Sequence, residues 1–359
     1  MTHPSTGVAS LAAAFRAGSD DPVRALERAL LAAERGKDDK AILCRVPTAP
    51  AEAEAAKLRL QRGQPLSPLD GIPVAVASGI APVALGSDAG GSVRVPAAIN
   101  GLVGLKPTYG AVPLEGVAGL TLDLDHVGPL AWTVEDATRV FEVIAARAVD
   151  RAAVVRGAAL LSDFFEGGEP EAMQAARAAA REVFGELPAV PTPFCAWATA
   201  VEFIIVGTDA QKTCGPHLRD HAHEIAPDTR MILHLGAGLP AKDRKRADEV
   251  RIGMRRELDA LLEKYDVLVG PAIGCFAPKI HPDAQAYGEL DTAKIAQLAA
   301  VSFVTNLTGH PCCVVPCVRE GLPMGLQIIG RHGDEARVLA AAGNVERAFG
   351  PRRPGRWHG

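Results

Sequence analysis

A glycine-rich stretch, residues 85–109, holds the side chains of this sequence that are best suited to chemistry. Gly90 and Gly91 directly precede Ser92 there. Because glycine adopts backbone angles that are closed to other residues, the N–H groups of Ala89, Gly90 and Gly91 can converge on one point beside the serine hydroxyl. Donors arranged in this way form an oxyanion hole, so the stretch predicts a serine nucleophile that attacks a carbonyl carbon.

Two charged residues flank this loop, Asp88 before it and Arg94 after it. We expect them to hold the loop in shape or to bind the substrate. The alternative is an ordinary glycine-rich turn, and for the tripeptide Gly-Gly-Ser alone the turn is the better interpretation, because such short motifs occur often by chance.

The longer run around Ser92 decides between these interpretations. It reads GSDAGGSVRVPAAINGLVGLKPTYG and closely resembles the core signature of the amidase-signature family of amide hydrolases. Other segments that resemble the family are residues 65–76, 123–137, 265–271 and 306–331, whereas residues 151–215 resemble it weakly.

The resemblance implies both a fold and a reaction. The fold is one α/β domain over residues 1–359, with a mixed twisted sheet flanked by helices. The reaction is hydrolysis of the C–N bond of a small-molecule amide, without a cofactor or a metal. Ser92 corresponds to the family's nucleophile, which forms an acyl-enzyme, and Ala89, Gly90 and Gly91 correspond to its oxyanion-hole residues.

The sequence departs from the family where the serine is activated. Family members use a serine–serine–lysine triad, with the lysine after a GIPVAV-like strand and the second serine in a Gly-Gly-Ser-Ser-Gly-Gly loop. Here GIPVAV is followed by Ala77, Ser78 and Gly79, and no Ser-Ser pair occurs anywhere. A deletion near residues 74–80 explains both losses and predicts that part of the central region is missing.

This departure leaves two hypotheses about function. One is an amide hydrolase by descent with impaired catalysis, and the other is a non-catalytic pseudoenzyme that serves as a binding protein or a partner in a complex. Lys106 is a possible substitute base, but it belongs to a GLKP segment that is structural in the family, so we do not expect it to serve.

Composition limits the other possibilities. A net charge of −4 and the lack of a basic run argue against a nucleic-acid partner. The sequence shows no run long enough to span a membrane and no secretory signal pattern, and its seven cysteines fit a reduced cytoplasmic setting. Loss of interior strands would expose sheet edges, so a homo-oligomer is possible.

Two clusters of potential metal ligands have simpler interpretations. His217, His221 and His223 lack a completing carboxylate or cysteine at a recognised spacing, so we expect a solvated helix or loop. The run CCVVPC lacks CxxC spacing and is apolar, which predicts a buried strand of small cysteine side chains.

Hydrophobic periodicity predicts the elements that position the loop. Residues 198–207 are apolar, but their pattern does not distinguish a helix from a strand. The other expected elements are helices at 22–36, 51–62, 134–146 with Thr133 as N-cap, 172–184, 243–264 and 334–348, and strands or short apolar elements at 72–76, 102–105, 267–269, 312–317 and 324–329.

Overall fold

The computed structural model describes residues 7–35, 47–73, 82–121, 123–225, 227–279 and 292–350. The expected deletion junction near 74–80 and most of the expected strand 72–76 lie outside these residues. The missing central region therefore stays a prediction, and so does the single domain over 1–359.

A mixed sheet of eight strands forms the centre of the described structure, in the order β1-β3-β2-β7-β8-β6-β4-β5. Strand β4 runs parallel to β5 and β6, and the other neighbours are antiparallel. The strands are β1 Val83–Asp88, β2 Val103–Lys106, β3 His126–Ala131, β4 Ala158–Leu161, β5 Ala189–Val190, β6 Val267–Pro271, β7 Cys312–Pro316 and β8 Gly325–Gly330.

Helices cover both faces of this sheet. They are α1 Val8–Arg16, α2 Pro22–Arg35, α3 Ala49–Gln61, α4 Arg94–Asn100, α5 Val134–Ile144, α6 Pro170–Phe184, α7 Ala198–His221, α8 Pro227–Ala237, α9 Ala241–Lys264, α10 Thr292–Ala299, α11 Phe303–Thr308 and α12 Glu335–Phe349. The α/β class with a mixed sheet and flanking helices is thus confirmed.

Two hydrophobic cores lie on opposite faces of the sheet. All residues of β6, β7 and β8 are buried, which is typical of central strands that are covered on both sides. Because alternate side chains of a strand point to opposite faces, Val267 and Val269 join one core while Leu268 joins the other. Helices α4, α5, α6 and α12 cover the first core, and α7, α9 and α11 cover the second.

Most sequence-based boundaries are within two residues of those observed. Thr133 caps α5 as expected, because its hydroxyl oxygen accepts a hydrogen bond from the amide of Asp136 at 3.1 Å. The ambiguous residues 198–207 form the first part of α7, a helix of 24 residues. Within the described ranges, no helix combines the length and apolar character needed to cross a membrane.

Candidate active site

Ser92 lies at the surface, in the turn that connects β1 to α4. Strand β1 is an edge strand among the described residues and pairs only with β3, with Asp88 opposite His126. Among the residues that the structure describes, no side chain or backbone group forms a hydrogen bond with the Ser92 hydroxyl. The serine is therefore exposed to solvent, and none of the described residues is bound to it as a base.

Asp88, the last residue of β1, organises the loop that follows it. Its carboxylate is fully buried and accepts hydrogen bonds from the backbone amides of Gly91 at 2.7 Å and Val93 at 3.1 Å. It also accepts two bonds from the Arg94 guanidinium, at 3.0 and 2.9 Å, and one from the Asn306 amide at 2.9 Å. These hydrogen bonds connect the loop back to Asp88, the residue that precedes it.

Arg94 connects this loop to α11. One terminal nitrogen of its buried guanidinium donates to the carbonyl of Ser302 at 2.7 Å and to the Thr305 hydroxyl at 2.6 Å, and the other donates to the Asn306 side-chain oxygen. The Asn306 amide also donates to the backbone carbonyl of Asp88 at 2.8 Å. Asp88 and Arg94 thus connect the loop to α11, whereas their expected roles, support of the loop or binding of the substrate, stay predictions.

The electrostatics of the pair follow from complete burial. Burial alone favours the neutral form of Asp88, but the adjacent Arg94 charge outweighs it and holds the pKa of this carboxyl well below its usual value. The two groups therefore form a buried ion pair in which each depends on the other.

Lys106 lies at the end of β2 and is fully buried. Burial and the nearby Arg94 charge lower its pKa to about 7, so a neutral amine is well populated at neutral pH. Its ammonium nitrogen, however, donates to the carbonyl of Pro107 at 2.9 Å. The amine has the protonation behaviour of a base, but its hydrogen bond is not directed to Ser92.

The three expected oxyanion-hole amides differ in whether they already have a hydrogen-bond acceptor. The amide of Gly91 is already engaged by the Asp88 carboxylate at 2.7 Å, so in this conformation it supports the loop and does not face solvent. Within the described ranges, no oxygen accepts a hydrogen bond from the amides of Ala89 or Gly90. Their role as oxyanion-hole donors stays a prediction.

Gly91 has a backbone conformation that other residues rarely adopt, with φ at +114°, and an added Cβ would lie 2.7 Å from Cβ of Ser302. We expect Gly91→Val to lower the free energy of unfolding by about 1–3 kcal/mol more than Gly116→Val. Gly116 is the matched control, because its φ is +83° but no atom lies within 4 Å of its Cβ position. Equal losses in chemical denaturation would contradict the tight packing of the loop.

A buried carboxyl that the sequence analysis missed lies beside this loop. Glu202 on α7 is 4% exposed, and neither of its oxygens has a hydrogen-bond partner in the described chain. One oxygen is 2.7 Å from the position that a Cβ on Gly90 would take. Burial, reinforced by the Asp88 charge, raises the pKa of Glu202 well above its usual value. Its signal in the sequence was a single acidic residue inside an otherwise apolar run.

The histidine and cysteine clusters are found largely as expected. His217 and His221 stack at a ring distance of 4.6 Å on α7, and His221 pairs with Glu224 at the surface. Cys312 and Cys313 are buried in β7, with Cys317 buried just after it.

Comparison with known proteins matches this chain to amidases. A protein-family model described as Amidase matches residues 74–157 and 198–339, which include the whole Ser92 loop. A glutamyl-tRNA(Gln) amidotransferase subunit from Roseiflexus castenholzii is 34% identical over 324 residues. That match covers 77% of this chain and 65% of the relative, so this chain spans slightly less than two thirds of the relative's length.

Solved structures show the same fold. A crystal structure of an amidase superposes with a TM-score of 0.84 at 24% identity, covering 96% of this chain and 100% of that chain. A glutamyl-tRNA(Gln) amidotransferase subunit from Thermotoga maritima superposes with a TM-score of 0.63 at 26% identity, over 80% of this chain and 67% of that chain.

Proposed function

Because this chain belongs to the amidase family, we propose that it is an amide hydrolase by descent in which Ser92 is still presented to an amide carbonyl but is poorly activated. The observation that carries this proposal is the environment of the Ser92 hydroxyl. It lies exposed on a tightly braced loop, and no residue of the described ranges is hydrogen-bonded to it. A general base must lie within hydrogen-bond reach of the proton that it removes.

The part of the machinery that remains defines the reaction. Ser92 Oγ attacks the carbonyl carbon of a small amide, and the amides of Ala89 and Gly90 donate to the developing oxyanion. Collapse of the tetrahedral intermediate releases the amine and leaves an acyl-enzyme, which water hydrolyses to the acid. Asp88 and Arg94 keep the loop in the conformation that these steps need.

The missing part is the removal of the serine proton. The resemblance places a lysine after the GIPVAV strand, where this sequence has Ala77, and a second serine in a loop that this sequence lacks. Both positions would fall near residues 74–81, which lie outside the described residues. Loss of one member of a triad that acts as a unit costs on the order of 10⁴- to 10⁶-fold in turnover.

The second candidate function is a non-catalytic amidase-like protein that binds an amide or serves as a partner in a complex. It is favoured by the same unbonded Ser92 hydroxyl, together with the intact bracing of the loop by a buried ion pair. For either function we propose a small-molecule amide ligand and no nucleic-acid ligand. A cytoplasmic setting and self-association also stay proposals.

A fluorophosphonate probe tests the state of Ser92, because it reacts with serines whose hydroxyl is activated. We expect weak labelling or none in the purified protein. Strong labelling that disappears in Ser92→Ala, while Ser87→Ala retains it, would show that a base survives and would overturn the proposed impairment. Ser87 is a suitable control because it is exposed on β1, near the same loop.

A further inference from the structure

Three potential metal ligands converge at a place that is not part of the Ser92 loop. They are Asp259 on α9, His310 between α11 and β7, and His332 between β8 and α12. One ligand atom from each lies within 4.8 Å of the other two. Segments that are far apart in sequence thus bring two imidazoles and one carboxylate together.

The hydrogen bonds of His310 indicate how its ring is oriented. The Thr308 hydroxyl donates to the carbonyl of Val304 at 2.8 Å, so its oxygen can accept from Nδ1–H of His310, 3.0 Å away. In this tautomer the other nitrogen, Nε2, carries a lone pair and lies 3.1 Å from a carboxylate oxygen of Asp259. Nε2 and the carboxylate oxygen are then both hydrogen-bond acceptors. They are close enough for one cation bound between them to be coordinated by both.

His332 supplies an independent observation. Its Nε2 atom is buried and has no hydrogen-bond partner among the described residues. Its ring centre lies 4.1 Å from that of His310. A buried polar atom without a partner carries a cost in free energy, and coordination of an ion would remove that cost.

We propose that Asp259, His310 and His332 bind a divalent transition-metal ion such as Zn²⁺, with Thr308 holding the His310 ring. Two imidazole nitrogens and a carboxylate oxygen are ligands that such ions prefer over Mg²⁺. Zinc bonds of about 2.0–2.2 Å place the ligands of a tetrahedral site roughly 3.3 Å apart. The 3.1 Å between Asp259 and His310 already fits this geometry, and the distances to His332, at most 4.8 Å, would have to shorten. The half-exposed Asp259 side chain leaves a path from solvent.

Neighbouring charges act in both directions at this site. Lys106 and Arg255 are close enough to His332 to oppose a bound cation, whereas Glu335 and Asp259 favour it. The ion would join α9 to the beginning of β7 and the end of β8. Binding to the folded state alone would therefore raise the melting temperature as well as occupy the site.

The test is calorimetric titration of the full chain with ZnCl₂, and with MgCl₂ for comparison. The double variant His217→Gln/His221→Gln is the parent protein into which the other substitutions are introduced. It removes an exposed histidine pair that could also bind zinc. We expect one zinc equivalent per chain and no response to magnesium. Thr308→Val should weaken zinc binding by about 10- to 100-fold, since loss of a group that orients a ligand has that effect.

Asp259→Asn tests the carboxylate directly, and we expect it to weaken binding by at least about tenfold. Asp248→Asn is the matched control, because Asp248 is also a half-exposed acid on α9 but pairs with Arg244, so its affinity should equal that of the parent. Circular dichroism verifies that each variant is folded. No zinc binding up to about 1 mM, or equal affinities for Asp259→Asn and the parent, would overturn the proposal.

Discussion

Replacing Arg94 by leucine is expected to lower the free energy of unfolding by about 3–5 kcal/mol, a large share of the stability of a typical domain. Arg94 and Asp88 are both fully buried and lie 2.9 Å apart. Removal of the guanidinium would take away the ion-pair partner of the carboxylate, and it would also leave oxygens of Ser302, Thr305 and Asn306 without their donor.

The matched control for this variant is Arg181→Leu. Arg181 pairs with Glu186 at the surface, where the two side chains are 71% and 80% exposed. Such exposed pairs contribute at most about 1 kcal/mol. Chemical denaturation of both variants against the wild type measures the difference. Similar losses for the two substitutions would contradict the assignment of the Asp88–Arg94 pair as the brace of the loop.

The pH dependence of this effect follows from the low pKa of Asp88 in the folded protein. A carboxyl whose pKa is lowered on folding stabilises the native state above its unfolded pKa of about 3.9, and this stabilisation is lost as the pH falls further. In Arg94→Leu, protonation of the buried Asp88 carboxylate removes a negative charge that has lost its ion-pair partner. The difference between wild type and variant should therefore be largest at neutral pH. It should begin to shrink where the unpaired carboxyl of the variant is protonated, above about pH 4, and shrink further below about pH 4 as the wild type loses its own stabilisation.

The sequence predicted the elements that local patterns determine. Helix α5 begins where its N-cap residue Thr133 predicted, and the apolar run around Cys312 forms a buried strand. These features depend on capping and on the alternation or continuity of apolar residues, which are visible in a short window. Residues 198–207 stayed ambiguous because a short run that is apolar on all sides fits a buried helix or a buried strand equally well.

The site was predicted only in part, because its partners are distant in sequence. The loop residues Asp88, Ser92 and Arg94 are close together and could be recognised from one motif. The Asn306 side chain is hydrogen-bonded to both Asp88 and Arg94, but it is 212 positions from Arg94 in the sequence. Glu202 reaches the loop from another helix. The engagement of the Gly91 amide by Asp88 is likewise a detail of backbone geometry that no spacing rule specifies.

The central claim is that Ser92 is presented on an intact loop but lacks the group that removes its proton. A serine hydroxyl is a weak nucleophile at neutral pH, and oxyanion-hole donors stabilise the tetrahedral intermediate without activating the attack. With lysine and second serine both missing from their expected places, the loss in turnover should reach at least the order of 10⁴- to 10⁶-fold. From a typical turnover of about 10 s⁻¹, a 10⁶-fold loss leaves about 10⁻⁵ s⁻¹, which yields little ammonia in an ordinary amidase assay.

Ammonia release is the measurement that tests this claim most directly. The purified chain is incubated with aliphatic, aromatic and urea-type amides, in parallel with Ser92→Ala. We predict no ammonia above the Ser92→Ala background with any of these substrates. Turnover that depends on Ser92 and persists in Ser87→Ala would contradict the claim, because another residue would then act as the base, and Lys106, with its pKa of about 7, would be the first to replace.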